Sequence, residues 1–295
     1  MLTGVVYFPQ HNEVAGCCFR CKATPATIRE TTSKASWRRE RYDIWTFIEK
    51  QRAEGKPLSP LMWAPGLTLD TFKLDWLHIA DLGVGADWLG QLFSVLMTKM
   101  PGGTKAARLA ELWRQVQTLY KLPEFKTSSQ LDDLSSTMIK SRDAVAPKLR
   151  ANAAECRGLM GIGHRLATEL LSDHDPFEAT VLQATKELWG CYQCLSATTE
   201  GGELADRSRR FCTLWVSLEE RHEGFRIKPK MHLFQELCEE SGPTQPAAHW
   251  AYRDEDFGGS MVGLARRRGG PKSPGATGHR VLSRFRARYR FPQIV

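Results

Sequence analysis

Along most of this chain, apolar side chains return every three or four residues, the spacing of an amphipathic helix. Leu89, Leu92, Phe93, Leu96 and Met100 form one such stripe and predict a helix from about Ala86 to Thr98, after a break at Gly83 and Gly85. Four more stripes follow between Thr104 and His222: Leu109–Tyr120, Leu159–Leu170, Val181–Tyr192 and Leu204–Leu218. Pro101-Gly102-Gly103, Pro123, Asp173 to Pro176 and Gly201-Gly202 separate them, so this region reads as a bundle of about four to six helices without strands. Upstream, Ile44, Trp45, Phe47 and Ile48 predict a helix over Arg41 to Arg52, stopped by Gly55 and Pro57. Downstream, Pro229 suits the first position of a helix whose apolar face is Met231, Phe234, Leu237 and Cys238.

Other stretches lack that period. Gly4 to Pro9 suits a short strand, and the apolar run Phe72 to Ile79 suits a short buried strand ending near Asp75. His249 to about Arg268 suits one more helix, weakened by Gly258 and Gly259. Residues 269–279 are rich in Gly, Pro and Ser and read as a loose linker. After them, arginines alternate with apolar residues in a pattern that fits a strand and a helix equally. The expected fold class is mainly α with a small residual β element.

Composition adds charge placement to this picture. The 295 residues are 42% hydrophobic and 25% charged, ordinary for a folded protein, with a net charge of +8. No Asp or Glu occurs from Phe257 onward, where nine basic residues lie: Arg266, Arg267, Arg268, Lys272, Arg280, Arg284, Arg286, Arg288 and Arg290. The remaining 32 of the 41 basic residues face 33 acidic ones, so the excess sits at the C-terminal end. Such an end suits nucleic acid, or else a solvated tail. No signal-peptide pattern and no run of about 18 apolar residues is seen, so the expected partners exclude a membrane. The expected location is intracellular, and nuclear if DNA is bound. Eight cysteines in a chain of this length read as thiols rather than as a disulfide framework.

Three constellations carry candidate chemistry. Cys18-x-x-Cys21 has the spacing of half a zinc site. Cys191-x-x-Cys194 shares that spacing on a predicted helix and would complete a four-thiolate site, with His11 as a further ligand; the alternative is buried thiols used as small hydrophobes. Asp75, with Asp81 and Asp87 close behind, suits either a carboxylate at a strand end, where Mg²⁺-dependent nucleases keep theirs, or a cap around Gly83. Asp254-Glu255-Asp256 is either a metal-facing acidic motif with Glu255 pointing inward, or a solvated turn. His232 and the other histidines are weak signals.

These residues resemble the transposases of the CACTA and Plavaka kind. Asp75-x-x-His78-x-x-x-Leu82-Gly83-Val84 is similar to their D-x-x-H … G-V segment, and Lys228-Pro229-Lys230-Met231-His232 to their K-P-K-x-H segment. Tyr252 to Phe257 stands where they carry an acidic helix, and the Cys18-x-x-Cys21 element has a counterpart there. The resemblance covers about residues 17–268. It implies a partial RNase H-like core carrying a large helical insertion, with Asp75 and Glu255 as catalytic, Mg²⁺-holding acids and Asp254 and Asp256 as rivals of Glu255. It implies a Cys-containing opening segment (1–40), the partial core (41–103), the insertion (104–225), returning core helices (226–268) and a basic tail (269–295). Arg266, Arg267, Arg268, Arg284, Arg286, Arg288 and Arg290 would meet nucleic acid. The family's first acid belongs to an earlier strand, whereas Glu13 is the sole acid before Cys17. The resemblance therefore implies an N-terminally truncated, catalytically inactive copy. The competing expectation is a non-catalytic, zinc-stabilised helical module that binds nucleic acid or protein.

Overall fold

The computed structural model describes residues 16–127, 129–140, 146–195, 202–240 and 245–266, together with 278–279 and 283–284. The chain forms two compact units, Met1–His249 and Trp250–Val295. The predicted strand over residues 4–9 lies outside the described residues.

In the first unit, three-residue turns lead into α1 (Ile44–Ala53). A π-helix, Leu77–Gly85, runs directly into α2 (Ala86–Lys99). Next come α3 (Lys105–Leu119), a hairpin of β1 (Ile139–Lys140) and β2 (Lys148–Leu149), α4 (Ala153–Leu170), α5 (Pro176–Cys194), α6 (Glu203–Arg221) and α7 (Pro229–Glu240). The fold is mainly helical, as the stripes predict. The caps follow the sequence: Asp43 and Asn152 each form a capping box, and Thr104 and Asp175 accept amides of the first turn.

Two strand expectations are corrected. Phe72 to Ile79 is no strand: Asp75 accepts the amides of Leu77 (3.3 Å) and His78 (3.1 Å), which starts a helix there. The helix that follows is buried on nearly every side, from Trp76 through Gly85. A helix buried on nearly every side, even at Asp81, has no amphipathic period to read. Conversely, the region expected to lack strands contains the β1–β2 hairpin, paired antiparallel as Ile139 with Leu149 and Lys140 with Lys148. Among the described residues no other strand pair occurs beyond an isolated bridge between Cys21 and Arg41.

The core centres on α2. Trp88 is fully buried, with ring edges against Phe211 at 5.2 Å and Trp215 at 5.7 Å, and its Nε1 donates to Thr185 Oγ1. Gln91 ties the next turn in, accepting from Trp215 Nε1 at 2.9 Å and donating to Arg226 O at 3.2 Å. Gly90 is where α2 meets the hairpin: a Cβ there would stand 2.5–2.6 Å from backbone atoms of Lys148 and Leu149. Backbone cannot step aside as a side-chain tip can. Gly90→Ala is therefore expected to destabilise the protein by about 1–3 kcal/mol in denaturant unfolding, despite the roughly 1 kcal/mol by which alanine favours a helix. An unchanged midpoint would mean the hairpin is not seated on α2.

The opening segment, residues 16–41, has its own small core of Cys17, Cys18, Cys21, Ala23, Ile28, Ala35 and Trp37, with Leu233 of α7 against it. It is held to α6 and α7 by four arginine–glutamate pairs: Arg20 with Glu240, Arg29 with Glu219, Arg38 with Glu239 and Arg41 with Glu236. The buried Arg20 also donates to Phe72 O at 2.6 Å.

The second unit contains α8 (Tyr252–Arg266), the helix expected over His249 to Arg268. Among the described residues, no helix is long and apolar enough to cross a membrane.

Candidate metal centre

The Cys17–Cys21 loop turns tightly enough for the Arg20 amide to donate to Cys18 Sγ at 3.3 Å. On its far side it pairs with the chain entering α1: Lys22 N donates to Glu40 O at 2.9 Å and Tyr42 N to Arg20 O at 2.8 Å, bracketing the Cys21–Arg41 bridge. This presents Cys18 and Cys21 to α7. There, His232 and Glu236 lie one turn apart and share a face. Cys21 Sγ is 3.2 Å from His232 Nε2, Cys18 Sγ is 3.4 Å from Glu236 Oε2, and His232 Nε2 is 3.9 Å from Glu236 Oε1. One ligand atom from each of the four residues lies within 4.8 Å of every other.

These spacings suit one ion. Bonds of about 2.0–2.3 Å arranged tetrahedrally set their donors roughly 3.3–3.8 Å apart. Two sulfurs, an imidazole nitrogen and a carboxylate oxygen match zinc, and they do not match Mg²⁺, which takes oxygens. Cys18, Cys21, His232 and Glu236 are 1%, 0%, 1% and 4% exposed, so the set is closed, as in structural rather than catalytic sites.

The electrostatics prepare one thiolate. A hydrogen bond from Cys18, and then His232, hold Cys21 down at about 6 despite its burial. Burial drives Cys18 well above the ordinary thiol range, and Cys21 and Glu236 add to it. Burial likewise pushes Cys17 up to about 12, and its thiol donates to Ala23 O. Cys17 is the neutral bystander of the three. The His232 ring stands edge-on to Trp37 at 4.6 Å, and its buried Nδ1 has no hydrogen-bond partner among the described residues. This departs from the usual arrangement, in which a ligating histidine donates its other N–H.

The second expected half-site is elsewhere. Cys191 meets Cys238 between α5 and α7, with Cys212 of α6 nearby, and serves as core. His11 lies outside the described residues. The residues that do meet Cys18 and Cys21, His232 and Glu236, were missed by sequence reasoning, although their i, i+4 spacing on a helix is itself a ligand signal.

The carboxylate expectations fare differently. The Asp75 side chain caps the π-helix and pairs with His78 Nδ1. Among the described residues of this unit, it belongs to no group of three or more such ligands. Glu255 lies in the first turn of α8 in the other unit, where Asp254, Glu255 and Asp256 are exposed rather than inward. Acids there suit the positive end of the helix dipole. Arg266 ends α8 and Arg284 is half-buried, while Arg267, Arg268, Arg286, Arg288 and Arg290 lie outside the described residues.

The two motif segments of the resemblance do meet. Lys230 Nζ donates to His78 O at 2.8 Å, and its aliphatic stem lies over Gly83. Lys228 Nζ pairs with buried Asp87 at 2.5 Å, and Lys148 Nζ caps Leu82 O at 2.8 Å. Two carbonyls of the widened π-helix thus receive lysines. Burial, and then Lys148, pull Lys230 down to about 8. Compared with known protein families, curated proteins and solved structures, the chain matches none.

Proposed function

We propose that this chain is a non-catalytic, zinc-stapled helical module of transposase-like descent whose basic C-terminal end meets nucleic acid. The observation that carries the reading is the closure of Cys18 and Cys21 onto His232 and Glu236, four buried donors at metal-binding separations. Zinc would be held by these four side chains and would supply a cross-link between the opening segment and α7. Support for the descent comes from the packing of Lys230 on His78 and Gly83, which joins the two segments on which the resemblance rests. On this reading, residues 41–103 and 226–268 derive from an RNase H-like core and 104–225 from its insertion. No step is assigned to Mg²⁺, because the Asp75 carboxylate is engaged by its own helix. Plasmid DNA incubated with the protein and Mg²⁺ should stay intact; nicking that disappears in Asp75→Ala would replace this reading with a catalytic one.

Metal analysis of the untagged protein tests the zinc directly. About one zinc per chain is expected, and none would overturn the proposal. Nucleic-acid binding has a separate test. Affinity for duplex DNA should fall steeply with salt, by about 0.9 log units per log unit of salt for each phosphate neutralised. Replacing Arg284, Arg286, Arg288 and Arg290 with Gln should flatten that slope by up to about 3.6. Fluorescence anisotropy at several salt concentrations reads both, and an unaltered slope would remove the tail from the account.

A further inference from the structure

The metal centre carries a charge that its four ligands leave unbalanced. With both thiols ionised, Cys18, Cys21 and Glu236 contribute three negative charges and a neutral His232 none. A divalent ion leaves one negative charge in a site whose ligands are 0–4% exposed. Uncompensated charge in such surroundings is costly. One cation is in place to offset it: Arg41 Nη1 stands 3.0 Å from Glu236 Oε1. The other nearby arginines are committed elsewhere on α7, Arg20 to Glu240 and Arg38 to Glu239.

We propose that Arg41 is the positioning residue of this centre, neutralising it and turning Glu236 into a one-oxygen ligand for a divalent, thiol-seeking cation such as zinc. The inference rests on the zinc reading above and extends it. Its backbone is fixed by the bridge that fixes Cys21, so the cation and the ligand loop are placed by one element. Its guanidinium takes Oε1, while Oε2 faces Cys18 Sγ at 3.4 Å, which divides the carboxylate between counter-ion and metal. The same count selects the cargo. A divalent ion brings the five-residue assembly to zero; a monovalent copper ion leaves it at −1, and a trivalent ion at +1. Outer partners of this kind are commonly worth 10–100-fold in metal affinity.

The experiment is zinc affinity of the full chain by competition with a chromogenic chelator, repeated with Co²⁺, whose absorption reports the ligand geometry. Arg41→Ala should weaken zinc 10–100-fold and perturb the Co²⁺ spectrum. Arg41→Lys should recover part of the affinity, since it restores charge without the planar fork. Arg38→Ala, which breaks a neighbouring staple on the same helix, should leave affinity within about twofold of wild type. A Glu236→His background separates charge from structure: its zinc-loaded shell is already neutral, so Arg41→Ala should then cost under about threefold, well short of its effect beside Glu236. Equal losses in both backgrounds would overturn the inference, as would full-affinity binding by Arg41→Ala when wild type holds zinc. If wild type holds no zinc, the zinc reading itself falls and takes this one with it. Should Arg41→Ala fail to fold, Arg41→Lys and Arg41→Gln decide: equal affinities for those two would also overturn it.

Discussion

Stripping zinc from the protein is expected to lower its thermal midpoint by roughly 8–16 °C. An ion present at a thousand times its Kd stabilises the state that binds it by about 4 kcal/mol, and each kcal/mol moves the midpoint of a domain this size by roughly 2–4 °C. The loss should not be uniform. Residues 16–41 have a core of only a few side chains, and beyond hydrogen bonds such as those of Thr31 to Thr213 and Gln235 they are held by four ion pairs, most of them partly exposed. Exposed pairs add little. Amides of this segment should therefore exchange first once a chelator is added, while those of α2 and α5 keep their protection. Cys18→Ser with Cys21→Ser should behave like the chelated wild type and should no longer respond to the chelator. The pH dependence has a definite sign. Binding needs both thiolates, and Cys18 is protonated in the metal-free site at neutral pH, so each ion displaces a proton. Below about 6, Cys21 is protonated too, and affinity should fall more steeply. In the metal-free fold, the lowered Cys21 contributes stability that is complete above its ordinary value of 9.0 and is lost as pH falls toward 6. The raised Cys17 opposes it only above 9.0, where stability declines toward 12. Scanning calorimetry with and without chelator measures the shift, and a change under about 2 °C would mean that no structural metal is present.

The helices were legible because most are half-buried. Leu109, Leu112 and Val116 face the core while Arg108, Glu111 and Arg114 do not, and that contrast is what periodicity reads. Pro229 marked the start of α7 for an equally local reason, a missing amide where none is needed. The π-helix escaped because Leu77, Ile79, Ala80, Asp81, Gly83, Val84 and Gly85 are all buried, so polar and apolar positions do not separate into two faces. Two of its carbonyls accept from lysines of β2 and of the start of α7, partners that no local window contains. The hairpin escaped because strands of two residues are too short to show alternation. Half of the candidate metal centre was visible, since Cys18-x-x-Cys21 is a local spacing. The other half was hidden in Glu236-Leu237-Cys238-Glu239-Glu240, where a buried carboxylate looks like a solvated one. Cys191-x-x-Cys194 offered a decoy with better chemistry but the wrong place in the fold. Only the packing of the opening segment on α7 distinguishes them.

Trp88→Ala tests whether that packing leans on the aromatic core, which touches none of the four candidate ligands through Trp88 itself. The indole is 0% exposed and touches Phe211, Trp215 and Phe225, so truncation opens a cavity in rigid aromatic surroundings that cannot close over it. A loss of about 3–5 kcal/mol is expected, seen as a lower denaturant midpoint at unchanged slope. Trp88→Phe keeps most of the ring and forfeits the bond to Thr185, so about 1–2 kcal/mol is expected. Trp45, at 62% exposed, is the control, and Trp45→Ala should change stability by no more than about 0.5 kcal/mol. The informative readout is zinc. Trp88 packs on Phe211, Phe211 on Phe234 at 6.1 Å, and Phe234 lies two residues from His232. If that chain of rings seats α7, Trp88→Ala should weaken zinc as well as stability, although it touches no ligand. Stability lost with zinc affinity unchanged would show instead that the opening segment and α7 form the centre without the help of the helical core.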